Sequence, residues 1–152
     1  MALRLSSGLR DMLLGSASFK TIMQNGVIRL FPGVQPSSAD DAEGASPLLE
    51  ITVSSGTFTP GTATGGLNFT APSGGACAKA SGEVWSGVAT TSGTAGWFRF
   101  YANDRTTGAD TTHPRFDGSV STSGAQLNMS STAITAGATT TIDSFLVTMP
   151  AS

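Results

Sequence analysis

Few residues in this chain could carry covalent or metal chemistry, and their spacing argues against each reaction in turn. A nucleophilic site would need Cys77, the one thiol, with His113, the one imidazole, as its base. Cys77 lies in Gly74-Gly75-Ala76-Cys77-Ala78, where Lys79 is the cation that would lower its pKa. No motif links it to His113, so an inert buried thiol is expected, and His113, before Pro114, reads as a solvated loop residue. One thiol and one imidazole do not close a zinc site, and a lone Cys forms no internal disulfide. Asp40, Asp41 and Glu43 bring three carboxylates close together, but not at the alternating positions of a calcium loop with its terminal Glu. A solvated loop is the expectation there. Glu50 and Glu83 would have to meet to act as a glycosidase pair, and nothing in the sequence places them together. No nucleophile elbow or phosphate loop occurs. The chain therefore reads as a non-enzyme with no catalytic, cofactor-binding or metal-ligating residues.

The densest aromatic and charged stretch runs from Ala95 to Val120. Trp97-Phe98-Arg99-Phe100-Tyr101 is aromatic at both parities of a strand except at Arg99, the pattern of a strand covered on both sides. A buried guanidinium needs a carboxylate or a set of carbonyls, and Asp117 and Asp104, in the same stretch, are the candidate acids. Arg99 is expected to pair with one of them. Aromatic residues and Arg are also enriched in subunit contacts, which makes Trp97, Arg99 and Tyr101 interface candidates.

The elements that would position these residues are mostly strands. Residues 1–26 read as an N-terminal helical cap or arm, with Leu5, Leu9, Met12 and Leu13 on one stripe and Gly15 as a stop. Gly8 should weaken that helix by about 1 kcal/mol. Ser18 is placed to cap a second short helix carrying Phe19, Ile22 and Met23. The Leu stripe is a candidate contact with a neighbouring subunit, in which case deleting residues 1–15 would leave the β structure intact. From Val27 onward, residues 27–152 read as one β-domain. Strands are expected at 27–31, 48–53, 83–90, 95–102, 115–121, 125–129 and 139–149, with irregular β between 54 and 82. Strands 83–90 and 95–102 should form a hairpin, with Trp85 near Trp97 or Phe98. The fold class is all-β, a β-sandwich or jelly-roll-like barrel with a short helical N-terminal segment.

Composition sets the outer limits. The 152 residues suit one domain, and charged residues are only 12% of the chain, about half the usual share. A net charge of −2 lacks the basic stripe that nucleic acid requires. No apolar run approaches the roughly 20 residues of a membrane helix, and no secretory signal pattern is expected at the N-terminus.

Four segments resemble a family of small structural proteins encoded in tailed-bacteriophage genomes: ALRLSSGLRDMLLG, GVIRLFPGVQPSSADDAEGASPLLEITV, GEVWSGVATTSGTAGWFRFYANDRTTGAD and RFDGSVSTSGAQLNMSSTAITAGATTTIDSFLVTMP. The resemblance spans most of the chain and rests on no catalytic motif, so it carries over no functional residue. It implies a virion component made in the host cytoplasm, without cofactor. Size, β content and low charge are similar to capsid decoration (cement) proteins. The partners implied are the major capsid protein or other virion subunits and further copies of itself, as a dimer or trimer. A head–tail connector, or a tail component that binds host-surface glycan, is the alternative.

Overall fold

The computed structural model describes residues 3–150, and the all-β expectation holds. Two short helices precede a nine-stranded sheet and a two-stranded one. In chain order these are β1 (Arg4–Leu5), α1 (Ser7–Gly15), α2 (Phe19–Ile22), β2 (Val27–Pro32), β3 (Leu49–Val53), β4 (Ala76–Ala78), β5 (Trp85–Val88), β6 (Gly93–Tyr101), β7 (Arg115–Ser121), β8 (Leu127–Asn128), β9 (Ala133–Ile134), β10 (Thr139–Ile142) and β11 (Leu146–Thr148). The large sheet runs β1-β7-β6-β2-β3-β5-β10, with β8 on β7 and β9 on β6; β11 and β4 form the small one. All pairs are antiparallel except β7 with β8.

Period-2 alternation gives the central strands two different faces. One cross-strand row joins Ile51, Ile28, Phe100, Phe116 and Leu5, and its neighbour joins Leu49, Leu30 and Phe98. This apolar face packs beneath Leu9 of α1, Phe19 of α2, Phe69, Phe145, and the Cys77 and Val147 pair of the small sheet. Phe100 stacks on Phe116 at 5.1 Å, and Phe69 bridges Phe100, Trp85 and Phe145. Each large aromatic ring buried here contributes on the order of 2–3 kcal/mol.

Several local expectations change. Residues 83–90 and 95–102 do not form a hairpin: β5 lies between β3 and β10, and β6 between β2 and β7. Trp85 therefore packs on Phe69, Phe100 and Phe145, while Trp97 stacks on Phe31 from the other face of the sheet at 4.4 Å. The stretch 139–149 splits into β10 and β11, one in each sheet, with Phe145 turned into the core between them. The N-terminal helix is also shorter than its stripe. Ser6 caps it, its side chain accepting from Leu9 N, so Leu5 lies on β1 and not on the helix. Ser18 caps α2 as its position suggests, accepting from Thr21 N.

Gly8 has a packing reason. A Cβ there would lie 2.1 Å from the Thr112 carbonyl oxygen, because α1 rests directly on the 112–113 backbone. Helix propensity alone predicts that Gly8→Ala stabilises by about 1 kcal/mol. The close approach reverses the sign. Gly8→Ala should destabilise by about 1–3 kcal/mol in a denaturant titration, and a gain in stability would refute this packing.

Candidate functional site

The other face of the central sheet carries charge where a β-sandwich usually carries solvent. Across five strands a single row reads Glu50, Arg29, Arg99, Asp117, Arg4. The adjacent row reads Val27, Tyr101, Arg115. Arg99, Arg115 and Asp117 are fully buried. The cover comes from two loops, 33–48 and 102–114, that fold over this face.

Arg99 pairs with Asp117, strand neighbour to strand neighbour: Nε donates to Oδ1 at 2.6 Å and Nη2 to Oδ2 at 2.7 Å. Its third nitrogen donates to the Asp41 carbonyl at 2.9 Å and lies 3.3 Å from Glu43. Burial alone would favour the neutral guanidine, but the Asp117 carboxylate outweighs it and holds the Arg99 pKa above its usual value. Asp104, the other candidate acid, is exposed and lies 3.9 Å from His113 instead. Arg115 takes the second solution for a buried guanidinium. It donates to the carbonyls of Ala39 (2.7 Å), Asp40 (3.0 Å), Asp41 (3.2 Å) and Thr106 (3.2 Å). The Tyr101 hydroxyl donates to Glu43 Oε1 at 2.9 Å, Gly108 N donates to Oε2 at 2.8 Å, and Arg4 donates to the Pro36 carbonyl. Loop 36–43 is thus strapped to the sheet by polar contacts along its length.

The acidic cluster is therefore part of the structure and not a solvated loop. Asp40 accepts from Ser7 N at 2.8 Å and Ser7 Oγ at 2.7 Å, which ties the strap to the start of α1. A carboxylate is well placed at that end of a helix. Burial would raise the Glu43 carboxyl, yet Gly108 N–H, the Tyr101 hydroxyl and Arg99 together bring it below its usual range. The Asp110 carboxyl is held at about 2 by the Thr112 and His113 amides and the His113 ring at 2.6 Å. Both acids have folded-state pKa values below their unfolded ones. Their contribution is complete above the usual carboxylate pKa of about 4 and is lost as pH falls through the folded values. Through these two acids thermal stability should drop as pH falls between about 4 and 2, while burial raises the Asp117 and Asp104 carboxyls, whose effect on stability runs the other way. A melting temperature unchanged at pH 3 would contradict this.

These placements revise the interface candidates. Trp97, Arg99 and Tyr101 are at most 1% exposed and Leu9 is fully buried, so none of them can meet another subunit. Trp97, Arg99 and Tyr101 fill the interior because loop 33–48 covers their face of the sheet, and Leu9 because α1 packs on the other face. Leu5 and Leu13 are half-buried against the core. Met12 is the one candidate that is exposed; Leu14, off the predicted stripe, is 88% exposed. Val34, 84% exposed in the loop after β2, is a further apolar surface residue that spacing did not single out.

The reactive candidates separate. Cys77 is buried in the core, and burial pushes its thiol pKa up despite Lys20 nearby. Lys79 points elsewhere, donating to the Glu83 carbonyl at 2.6 Å. Glu50 binds Arg29 and Arg105, whereas Glu83 binds Asn68 and the Trp85 indole N–H. The two acids are engaged with different partners. Among the described residues no three His, Cys, Asp or Glu side chains gather as metal ligands, and no helix is long and apolar enough to cross a membrane. The chain matches no protein-family model, no curated protein and no solved structure.

Proposed function

We propose that this chain is a structural subunit of a tailed-bacteriophage particle, in the first instance a decoration protein that bridges neighbouring capsomers. The observation that carries the reading is where the charge goes. Arg29, Arg99, Arg105, Arg115, Asp117, Glu43 and Glu50 are all engaged with one another or with backbone inside the molecule. The outer surface carries only scattered charges, among them Arg10, Asp11, Lys20 and Asp143, between hydroxyls, glycines and exposed apolar residues such as Leu14 and Val34. Such a surface suits docking on protein through close contact more than long-range steering. The family resemblance of the four segments points the same way. Repetition over a closed shell would make a modest contact, about 800 Å² per partner, effectively permanent.

A second reading, a tail component binding host-surface glycan, has one observation in its favour. A groove of about 320 Å³ beside β10 is lined by Ser130, Ser131, Thr139, Thr141 and Asp143, all able to hydrogen-bond sugar hydroxyls. Densitometry of purified particles separates the two. The decoration reading expects a copy number near that of the major capsid protein, and a handful of copies would overturn it. Leu14→Lys should weaken attachment of the purified chain to undecorated particles while leaving its melting temperature unchanged; undiminished attachment would remove α1 from the contact.

A further inference from the structure

The row of charge on the strapped face continues past its cover. Arg99 and Arg115 lie under the loops, with their donors taken by Asp117, Glu43 and backbone carbonyls. Arg29, beside Arg99 in the row, differs. Its side chain is 21% exposed, as in similar degree are Glu50 (26%), opposite it on β3, and Arg105 (27%), from loop 102–114.

Here two guanidinium groups share one carboxylate. Arg29 Nε donates to Glu50 Oε2 at 2.8 Å, and Arg105 Nη1 donates to the same oxygen at 3.1 Å and to Oε1 at 3.2 Å. One positive charge is left in surplus. Glu43 does not balance it, being held by Arg99, the Tyr101 hydroxyl and Gly108 N. Among the described residues, Arg29 Nη1 and Nη2 and Arg105 Nε and Nη2 donate to no acceptor. Each arginine thus keeps one two-donor edge uncommitted.

Both arginines are also held in place. Arg29 lies over the Tyr101 ring at 5.8 Å and Arg105 over the Phe58 ring at 5.4 Å, and both rings are buried. Arg105 sits at φ 46°, in the left-handed region, with its N–H bonded to the Ala102 carbonyl. Backbone strain of this kind in a non-glycine residue persists where the surroundings fix it, as at ligand clamps.

We propose that Arg29 and Arg105 form a binding site for a carboxylate. The planar fork of donors on a guanidinium matches the two oxygens of that group. One carboxylate balances the surplus charge, whereas a phosphate dianion would bring a second negative charge beside Glu50 and be repelled by it. Because Glu50 and the two rings already restrain the cations, binding costs little side-chain entropy. The carboxylate belongs either to a small organic acid or to an acidic side chain of a protein, and the probes below separate the two. The assignment goes beyond the virion reading and does not depend on it.

Arginine Nε–H chemical shifts of the full chain report on the site, with ionic strength held constant by sodium chloride. Acetate, phosphate and the blocked tripeptide acetyl-Ser-Glu-Ser-amide are the probes. Acetate should shift the Arg29 and Arg105 signals saturably, with a Kd on the order of 1–10 mM, and leave exposed Arg10 unmoved. Phosphate should bind about tenfold more weakly. Tighter binding of the tripeptide than of acetate assigns the carboxylate to a protein partner, and equal affinity assigns it to a small acid. Arg105→Gln should abolish saturation. Arg105→Lys keeps the charge but loses the fork, and should weaken binding by about tenfold. Shifts that rise linearly with acetate, an equal response at Arg10, phosphate binding as tight as acetate, or full affinity in Arg105→Lys would each overturn the proposal. The titrations of the unaltered chain decide it even where a variant fails to fold.

Discussion

Asp117→Ala is expected to lower stability by about 3–5 kcal/mol, the largest effect of any single side-chain truncation on the charged face. The loss comes less from the missing attraction than from what remains. Arg99 would stay fully buried with only Glu43 and one carbonyl beside it. Arg115, close enough for the two guanidinium groups to repel, has only carbonyls and no carboxylate of its own. Against a total stability of about 5–15 kcal/mol for a domain, that is enough to leave a large unfolded fraction at physiological temperature. A paired replacement, Arg99→Met with Asp117→Leu, should recover most of the loss, since a buried ion pair often exchanges for apolar side chains at little cost. Urea denaturation of both variants at neutral pH measures the difference. A loss below about 1 kcal/mol for Asp117→Ala would be the behaviour of a solvent-screened pair, and would contradict the burial described above.

Removing residues 1–15 is expected to abolish the cooperative unfolding transition altogether. The sequence pattern alone predicts the opposite, an arm that can be cut away from an intact β-domain. In the structure, β1 adds to β7 with Arg4 opposite Asp117 and Leu5 opposite Phe116. Ser6 Oγ donates to the His113 carbonyl and accepts from Arg115 N, each at 3.1 Å. Leu9 is fully buried in the main core, where truncation of a Leu alone costs about 2–5 kcal/mol. Loss of Ser7 also leaves Asp40 without the helix amide it accepts from, which loosens the strap on the opposite face. Circular dichroism with thermal melting checks this. A truncated chain that melts within a few degrees of the full one would restore the arm.

The contrast shows what could be read from residues and what could not. Alternation in 48–53 and the apolar and aromatic runs in 27–31 and 95–102 identified the central strands, and Ser18 identified a helix cap, because these are local patterns. The aromatic run at 97–101 indicated a strand covered on two sides, which it is. What covers the second side was hidden. Loop 33–48 carries Gln, Ser, Asp and Glu and looks like solvent-facing chain, yet these polar groups are where buried Arg99 and Arg115 find their partners. Arg115 itself gives no signal in sequence, since carbonyl ligands leave no side-chain pattern. Strand order was hidden for a related reason. Short strands separated by Gly- and Ser-rich turns pair through contacts remote in the chain, so proximity in sequence suggested β5 beside β6 when β5 joins β3 and β10.

The strap over the charged face also decides where a guest peptide could be built into this protein. Residues 36–43 and 103–113 have the composition of tolerant connectors, but splicing into either would cut the anchors of Arg99, Arg115 and α1. The turn at 122–124 differs: its residues are exposed and Gly124, at φ 71°, has open space around it. An epitope carried between β7 and β8 would project outward and leave both layers of the sheet undisturbed.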